Sequence, residues 1–203
     1  MTLDKLRPYV SNVLDPFVTG FDRMGMTPNG VSVLAFGMAV AAAVTFYLGG
    51  TTDRIWYVVA AALVFLNGWL DVVDGALARE QNVASAGGDL LDHVLDRYAD
   101  IVVVGGLAAG VGDYLLGFAA VTGVVMTSYL GTQAEAVGLE RVYGGVVGRA
   151  DRLAIIGVVA VFAYPLSGTY AGFTLVGWLL VFLAVVGHLT AVQRFYYAWR
   201  ALE

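Results

Sequence analysis

The sequence predicts an all-α integral membrane protein, six transmembrane helices preceded by an amphipathic interfacial helix, with the N- and C-termini cytoplasmic. Three observations carry that prediction. Hydrophobic residues make up 59% of the 203 and charged residues only 13%, where a soluble domain carries about a quarter charged. Mean hydropathy is +0.77. The apolar residues also gather in runs that reach or approach the ~20 residues a helix needs to cross the hydrocarbon core.

The elements follow in chain order. Leu3, Leu6, Val10, Val13 and Phe17 recur at helical spacing, which predicts an amphipathic helix within residues 1–27, lying in the cytoplasmic interface. Asp4, Lys5 and Arg7 leave no uninterrupted apolar stretch there for a signal peptide. Pro28 and Asn29 open the first span, whose apolar run is Val31–Leu48. The second run, Ile55–Leu70, continues through Asp71 and Asp74 towards Arg79, and the polar segment Glu80–Gly87 turns the chain at the cytoplasmic surface. The third run, Ile101–Val111, is short by itself and reaches spanning length when its helix begins near Gly88. Runs Tyr114–Leu130, Leu153–Leu166 and Ala171–Leu189 supply the fourth to sixth spans. With no linker, low-complexity tract or internal repeat in view, residues 1–203 are expected to form one domain, the interfacial helix followed by a six-helix bundle over 29–200.

Orientation follows from the basic residues, which accumulate in cytoplasmic segments. Lys5, Arg7 and Arg23 precede the first span, Arg141, Arg149 and Arg152 lie between the fourth and fifth, and Arg194 and Arg200 follow the sixth; the opposite side has only Arg54. The chain has no Cys, which excludes disulfides and thiolate chemistry. A net charge of −5 offers nothing to nucleic acid and, with a pI near 4.9, suits a salt-adapted source.

Within this apolar frame the acids are regularly spaced. Positions three or four apart share a helix face, so Asp71 and Asp74 form one stripe and Asp89, Asp92, Asp96 and Asp100 another, facing each other across an antiparallel pair of helices. A charge at membrane depth costs roughly 2.5–3.5 kcal/mol, and like charges brought together cost more, so Asp71, Asp74, Asp92 and Asp96 call for cations. Oxygen-only ligands favour a hard ion, Mg²⁺ or Mn²⁺, and four acids suffice for two ions per site, the arrangement that clamps attacking and leaving oxygens in phosphoryl transfer. Asp89 and Asp100 stay outside this core set as solvated residues or partners of Arg97, and His93 is expected to hydrogen-bond structurally rather than to ligate. Taken singly, each acid also fits a proton relay, and an intramembrane cation or proton transporter using buried carboxylates remains an alternative. An intramembrane prenyltransferase, which binds diphosphate through Asp-rich motifs, is another.

The residues D71-x-x-D74-G75-x-x-A78-R79, eight more, then G88-x-x-x-D92-x-x-x-D96 resemble the full signature of the CDP-alcohol phosphatidyltransferase family. The resemblance implies a multi-pass enzyme of phospholipid synthesis, usually a homodimer, in a prokaryotic plasma membrane with its active site on the cytoplasmic side. It would transfer a phosphatidyl or archaetidyl group from a CDP-linked lipid donor to a small polar alcohol acceptor and release CMP. By the same resemblance Asp71, Asp74, Asp92 and Asp96 ligate two divalent ions, Asp96 is also the base for the acceptor hydroxyl, and Asn29, Gly75, Arg79 and Ser85 contact the CDP-lipid. Independently of the family, Gly75 permits close approach to helix backbone and Arg79 offers a planar fork to a phosphate.

The acceptor is approached through "GGVVGRADR", Gly144–Arg152. Arg149 and Arg152 are i, i+3, and the preceding glycines let backbone turn around an anion, so Arg149, Arg152 and Arg194 are expected to bind a phosphate on the acceptor, inositol 1-phosphate or glycerol 3-phosphate. They would otherwise only set topology and bind anionic headgroups. The stretch Ser128–Glu140, followed by "GRADRL", is similar to the phosphatidylinositol-phosphate synthase branch and its archaetidyl-lipid relatives. Gly131 and Gln133 depart from it, because bacterial members of that branch carry basic residues there. A non-phosphorylated acceptor such as serine is the alternative within the family.

Overall fold

The computed structural model of the chain describes residues 7–139 and 145–203, with side chains from residue 13 onward. Seven helices make up the described residues: α1 (Arg7–Arg23), α2 (Pro28–Thr51), α3 (Ile55–Glu80), α4 (Ala86–Val111), α5 (Tyr114–Ala136), α6 (Arg149–Ala163) and α7 (Leu175–Leu202). Four of them, α2, α3, α5 and α7, are long and apolar enough to cross a membrane. The other two of the expected spans differ from the apolar runs that suggested them. Helix α4 has 26 residues, but the charged Asp89, Asp92, Asp96, Arg97 and Asp100 lie along its residues 86–100. Helix α6 has 15 residues, about 22 Å at 1.5 Å per residue.

Local chemistry sets the helix ends. Thr27 caps α2, its hydroxyl accepting from Gly30 N at 3.2 Å, and Pro28 occupies a first-turn position where no N–H is needed. Ser85 caps α4 in the same way, accepting from Gly88 N at 3.1 Å, and Asp113 and Thr174 do so for α5 and α7. The last helix starts at Leu175 rather than Ala171 because Ala171 and Gly172 take φ of 48° and 86° in a tight turn closed between Tyr170 and Phe173. A residue in that conformation cannot continue a right-handed helix.

Contacts close the six helices α2–α7 into a ring, in the order α2, α3, α6, α7, α5, α4 and back to α2, with α1 outside against α3. Small residues hold the ring together. A Cβ built on Gly106 of α4 would collide with the Ala43 carbonyl of α2, and one on Gly110 would lie 2.6 Å from the Phe46 carbonyl, so these helices meet backbone to backbone. On the far side a Cβ on Gly187 of α7 would lie 2.8 Å from Gly123 of α5, and Thr127 Oγ1 donates to the Gly187 carbonyl at 2.8 Å. The main core runs through this ring, from Ala39, Ala42 and Phe46 of α2 to Leu179, Leu180 and Leu183 of α7.

One arrangement departs from the sequence expectation. Helices α3 and α4 do not pack closely on each other; each packs on α2, leaving a groove between them. Facing carboxylates repel and need room, and α2 supplies the spacer. Helix α1 forms as expected but buries a different stripe: Leu14 and Val18 pack on Val31 and Ala35 of α2 and on Leu70, Val73 and Leu77 of α3. Val13 and Phe17 face outward, Phe17 setting its ring edge-on to Trp69 at 5.2 Å. Leu3 and Leu6, the side chain of Val10, and Arg141 lie outside the described residues.

Candidate active site

The acid motif wraps the groove between α3 and α4. Because α3 runs on unbroken to Glu80 past its apolar part, Asp71 and Asp74 project one turn apart from one face, and Asp92 of α4 reaches across to them. One carboxylate oxygen from each of the three lies within 4.8 Å of the others. Asp74 is 6% exposed and is fixed by Ser32 of α2, whose hydroxyl donates to its Oδ2 at 2.6 Å. An ionised acceptor strengthens that bond, which restrains how the Asp74 carboxylate can turn. The convergent oxygen-only donors suit a hard divalent cation, and three carboxylates this close together, Asp74 buried and Asp71 and Asp92 half-buried, are costly without one.

Asp96 lies one turn deeper on α4 and meets a different partner. Arg149, the first residue of α6, spreads its fork over the acids: Nη1 reaches Asp71 Oδ2 at 2.8 Å, Nη2 reaches Asp96 Oδ1 at 2.7 Å, and Nε lies 3.9 Å from Asp100 Oδ1. Asp100, expected to be solvated or paired with Arg97, is instead 3% exposed and pairs with Arg152 of α6. The reason is the ring order. Helix α6 packs on α3, so its first turn, started at Gly148 with Asp151 accepting from Gly148 N at 3.2 Å, delivers both arginines to the acid groove. The two clusters that the sequence shows separately are one charged centre.

The remaining predicted residues distribute as follows. Arg79 folds back along α3, so that a Cβ on Gly75 would lie 3.6 Å from its Nη1; glycine there keeps helix backbone open beside the guanidinium. Asn29 lies over the first turn of α4, where a Cβ on Gly88 would meet its Oδ1 at 3.3 Å, and Ser85 caps that same turn. Arg194 has described contacts on α5 and in the loop before α6. Its Nη1 donates to the Thr127 carbonyl at 2.7 Å, and a Cβ on Gly145, in the glycine-rich loop before α6, would lie 3.6 Å from its Nε. His93 Nδ1 sits 2.7 Å from the Asp89 carbonyl one turn back, a local contact away from the three convergent acids.

Two polar residues at this centre were not singled out in the sequence. Ser32 falls three positions after Asn29, on the same face of the first span, and Asn67 falls four before Asp71, on the acid stripe of the second. A polar side chain inside an apolar run, in register with a known polar face, is the signal that finds both.

Known proteins resemble this chain in sequence and in fold. The family model described as CDP-alcohol phosphatidyltransferase matches residues 25–193. An archaetidylinositol phosphate synthase of Methanothermobacter thermautotrophicus is 32% identical over 206 residues, 99% of this chain and 96% of the relative. The crystal structure of Mycobacterium tuberculosis phosphatidylinositol phosphate synthase with manganese and citrate is similar at TM-score 0.76 and 28% identity, covering 92% of this chain and 88% of that one. The same enzyme with CDP-DAG bound is similar at TM-score 0.76, covering 93% and 94%. With its acid signature set in a helical groove and a family match along most of its length, the chain belongs to the CDP-alcohol phosphatidyltransferase family.

Proposed function

We propose that this phosphatidyltransferase moves a phosphatidyl or archaetidyl group from a CDP-linked lipid to a phosphorylated alcohol, inositol 1-phosphate before glycerol 3-phosphate, and releases CMP. The observation that carries the proposal is the position of Arg149: a guanidinium, suited to a phosphate, bridges Asp71 and Asp96 within 2.8 Å of each. An acceptor whose phosphate approaches Arg149 brings its hydroxyl to the acids in the same motion. The inositol-phosphate synthases among the similar proteins support the same acceptor.

In this proposal Asp71, Asp74, Asp92 and Asp96 hold two divalent ions, Mg²⁺ or Mn²⁺; the manganese in the similar mycobacterial structure supports that ion class. Bound there, such ions neutralise diphosphate charge and ease departure of CMP. The chain's own residues do the rest. Ser32 restrains how the Asp74 carboxylate turns. Gly75 and Arg79 receive the nucleotide diphosphate against exposed helix backbone, with Asn29 and Ser85 at the neighbouring helix start. Asp96 takes the proton of the acceptor hydroxyl as its oxygen attacks the lipid-bound phosphorus, and the phosphorus–oxygen bond to CMP breaks. Of the three arginines, Arg149 faces the acceptor directly, its side chain 16% exposed. Arg152 and Arg194, spent on Asp100 and the Thr127 carbonyl, frame it.

The same proposal completes the membrane arrangement. Helices α4 and α6 join the four apolar helices as crossings, residues 1–203 act as one unit, α1 lies in the interface, and both termini and the acid groove face the cytoplasm of a prokaryotic plasma membrane. A homodimer is expected, its contacts drawn from the lipid-facing surface. The test is incubation of purified protein with CDP-diacylglycerol or CDP-archaeol, Mg²⁺ or Mn²⁺, and separately inositol 1-phosphate, glycerol 3-phosphate and serine, following CMP. Release with inositol 1-phosphate supports the assignment; release with serine alone overturns it.

A further inference from the structure

Asn67 sits at the floor of the acid groove with half of its amide unanswered. The residue is 2% exposed, and its Nδ2 donates to the Ala35 carbonyl of α2 at 2.9 Å. That bond fixes the amide's orientation, since a carbonyl only accepts, and turns Oδ1 to the other side. Oδ1 is buried and has no hydrogen-bond partner among the described residues. The residue lines a cavity of ≈ 10 Å³ bounded also by Ser32, Asp71, Asp92 and Asp96. None of these supplies a donor. The three carboxylates only accept when ionised, the Ser32 hydroxyl is directed to Asp74, and the backbone N–H groups of the helices are held in their ladders.

A buried oxygen left without a donor costs about 1–3 kcal/mol, so natural sites rarely keep one that does nothing. The cavity holds about one water, and a water there has the polar partners it needs: Asn67 Oδ1 on one side, carboxylate oxygens on the other. We infer that Asn67 is a positioning residue of the cation centre, its Oδ1 holding one hydrogen of a water whose oxygen is turned to the ion bound by Asp71, Asp74 and Asp92. The inference rests on the proposed cation site. Asn67 touches no substrate; it orients the water and, through the water, limits how the carboxylates can turn.

The test uses the full chain purified in detergent and Mn²⁺ alone, with affinity read by electron paramagnetic resonance titration. Native protein is expected to bind Mn²⁺. Asn67→Leu, of similar shape but without an acceptor, is expected to weaken binding by about 10–100-fold. Asn67→Asp gives up the bond to the Ala35 carbonyl but keeps acceptor oxygens at the cavity, and is expected to retain Mn²⁺ binding. Melting without Mn²⁺ shows which variants fold, and should Asn67→Leu fail to fold, the Asp variant decides by itself. Native-like affinity in a folded Asn67→Leu, or lost affinity in a folded Asn67→Asp, overturns the inference while leaving the cation site standing. Absence of Mn²⁺ binding in the native chain overturns both.

Discussion

Asp100→Asn separates the structural arginine from the one that meets substrate. Asp100 and Arg152 have side chains 1% and 4% exposed, so each is the other's replacement for water. Neutralising Asp100 leaves a guanidinium that cannot shed its proton in the low-dielectric centre of the ring. Breaking a buried pair from one side costs about 3–5 kcal/mol. Asparagine keeps one accepting oxygen, so about 3 kcal/mol is expected here. At roughly 2–4 °C per kcal/mol for a chain of this size, the melting midpoint falls by about 6–12 °C. Removing both charges, in Asp100→Leu with Arg152→Met, discards the stranded charge and should return most of that loss. The assay is thermal unfolding followed by intrinsic fluorescence of the 4 Trp residues in detergent, together with the KM for inositol 1-phosphate. Asp100→Asn melting within about 2 °C of native, or a double variant less stable than Asp100→Asn, would show that Asp100 does not balance a buried Arg152 charge. A tenfold rise in acceptor KM in a stable double variant would return Arg152 to direct phosphate contact.

Three further outcomes are expected. Asp71→Asn, Asp74→Asn and Asp92→Asn each abolish CMP release and lower Mn²⁺ affinity, whereas Asp96→Asn abolishes release but leaves CDP-lipid binding, measured by calorimetry, largely intact; full turnover in any of the four refutes its assigned role. Ser32→Ala removes a hydrogen bond to a charged acceptor, an interaction of about 1.5–3 kcal/mol, and should weaken Mn²⁺ binding by roughly tenfold or more with a smaller change in melting; unchanged affinity would show that Asp74 needs no anchor. Arg149→Ala raises the acceptor's KM far more than the donor's, since uniform binding of the acceptor phosphate is what it loses, and an unchanged acceptor KM sends Arg149 back to balancing the acids.

Much of the site was legible because helical spacing is a local property. Asp71 and Asp74, and Asp92 and Asp96, share faces whatever surrounds them, and their cost in an apolar chain points to cations before any fold is known. The arginine partners were not legible in that way. Sequence placed Asp100 beside Arg97, its neighbour on the same helix, and grouped Arg149 with Arg152 as equivalent phosphate ligands. Both expectations used separation along the chain, whereas the pairings arise between α4 and α6, 52 residues apart in the Arg152–Asp100 contact. Ser32 and Asn67 were hidden for a related reason: one polar residue in an apolar span reads as tolerated until the helix opposite is known.

By itself, then, the sequence determined that the chain is helical and apolar, that its acids stand in stripes, and which reaction family the stripes resemble, because composition and periodicity need no knowledge of neighbours. Only the tertiary structure decided that α2, not α3 against α4, spaces the acids, and that α6 brings its arginines into their midst. Those outcomes depend on which helices approach closely, and that is set by glycines such as Gly106 and Gly110 meeting backbone on another helix, a match between distant surfaces that no single stretch of residues contains.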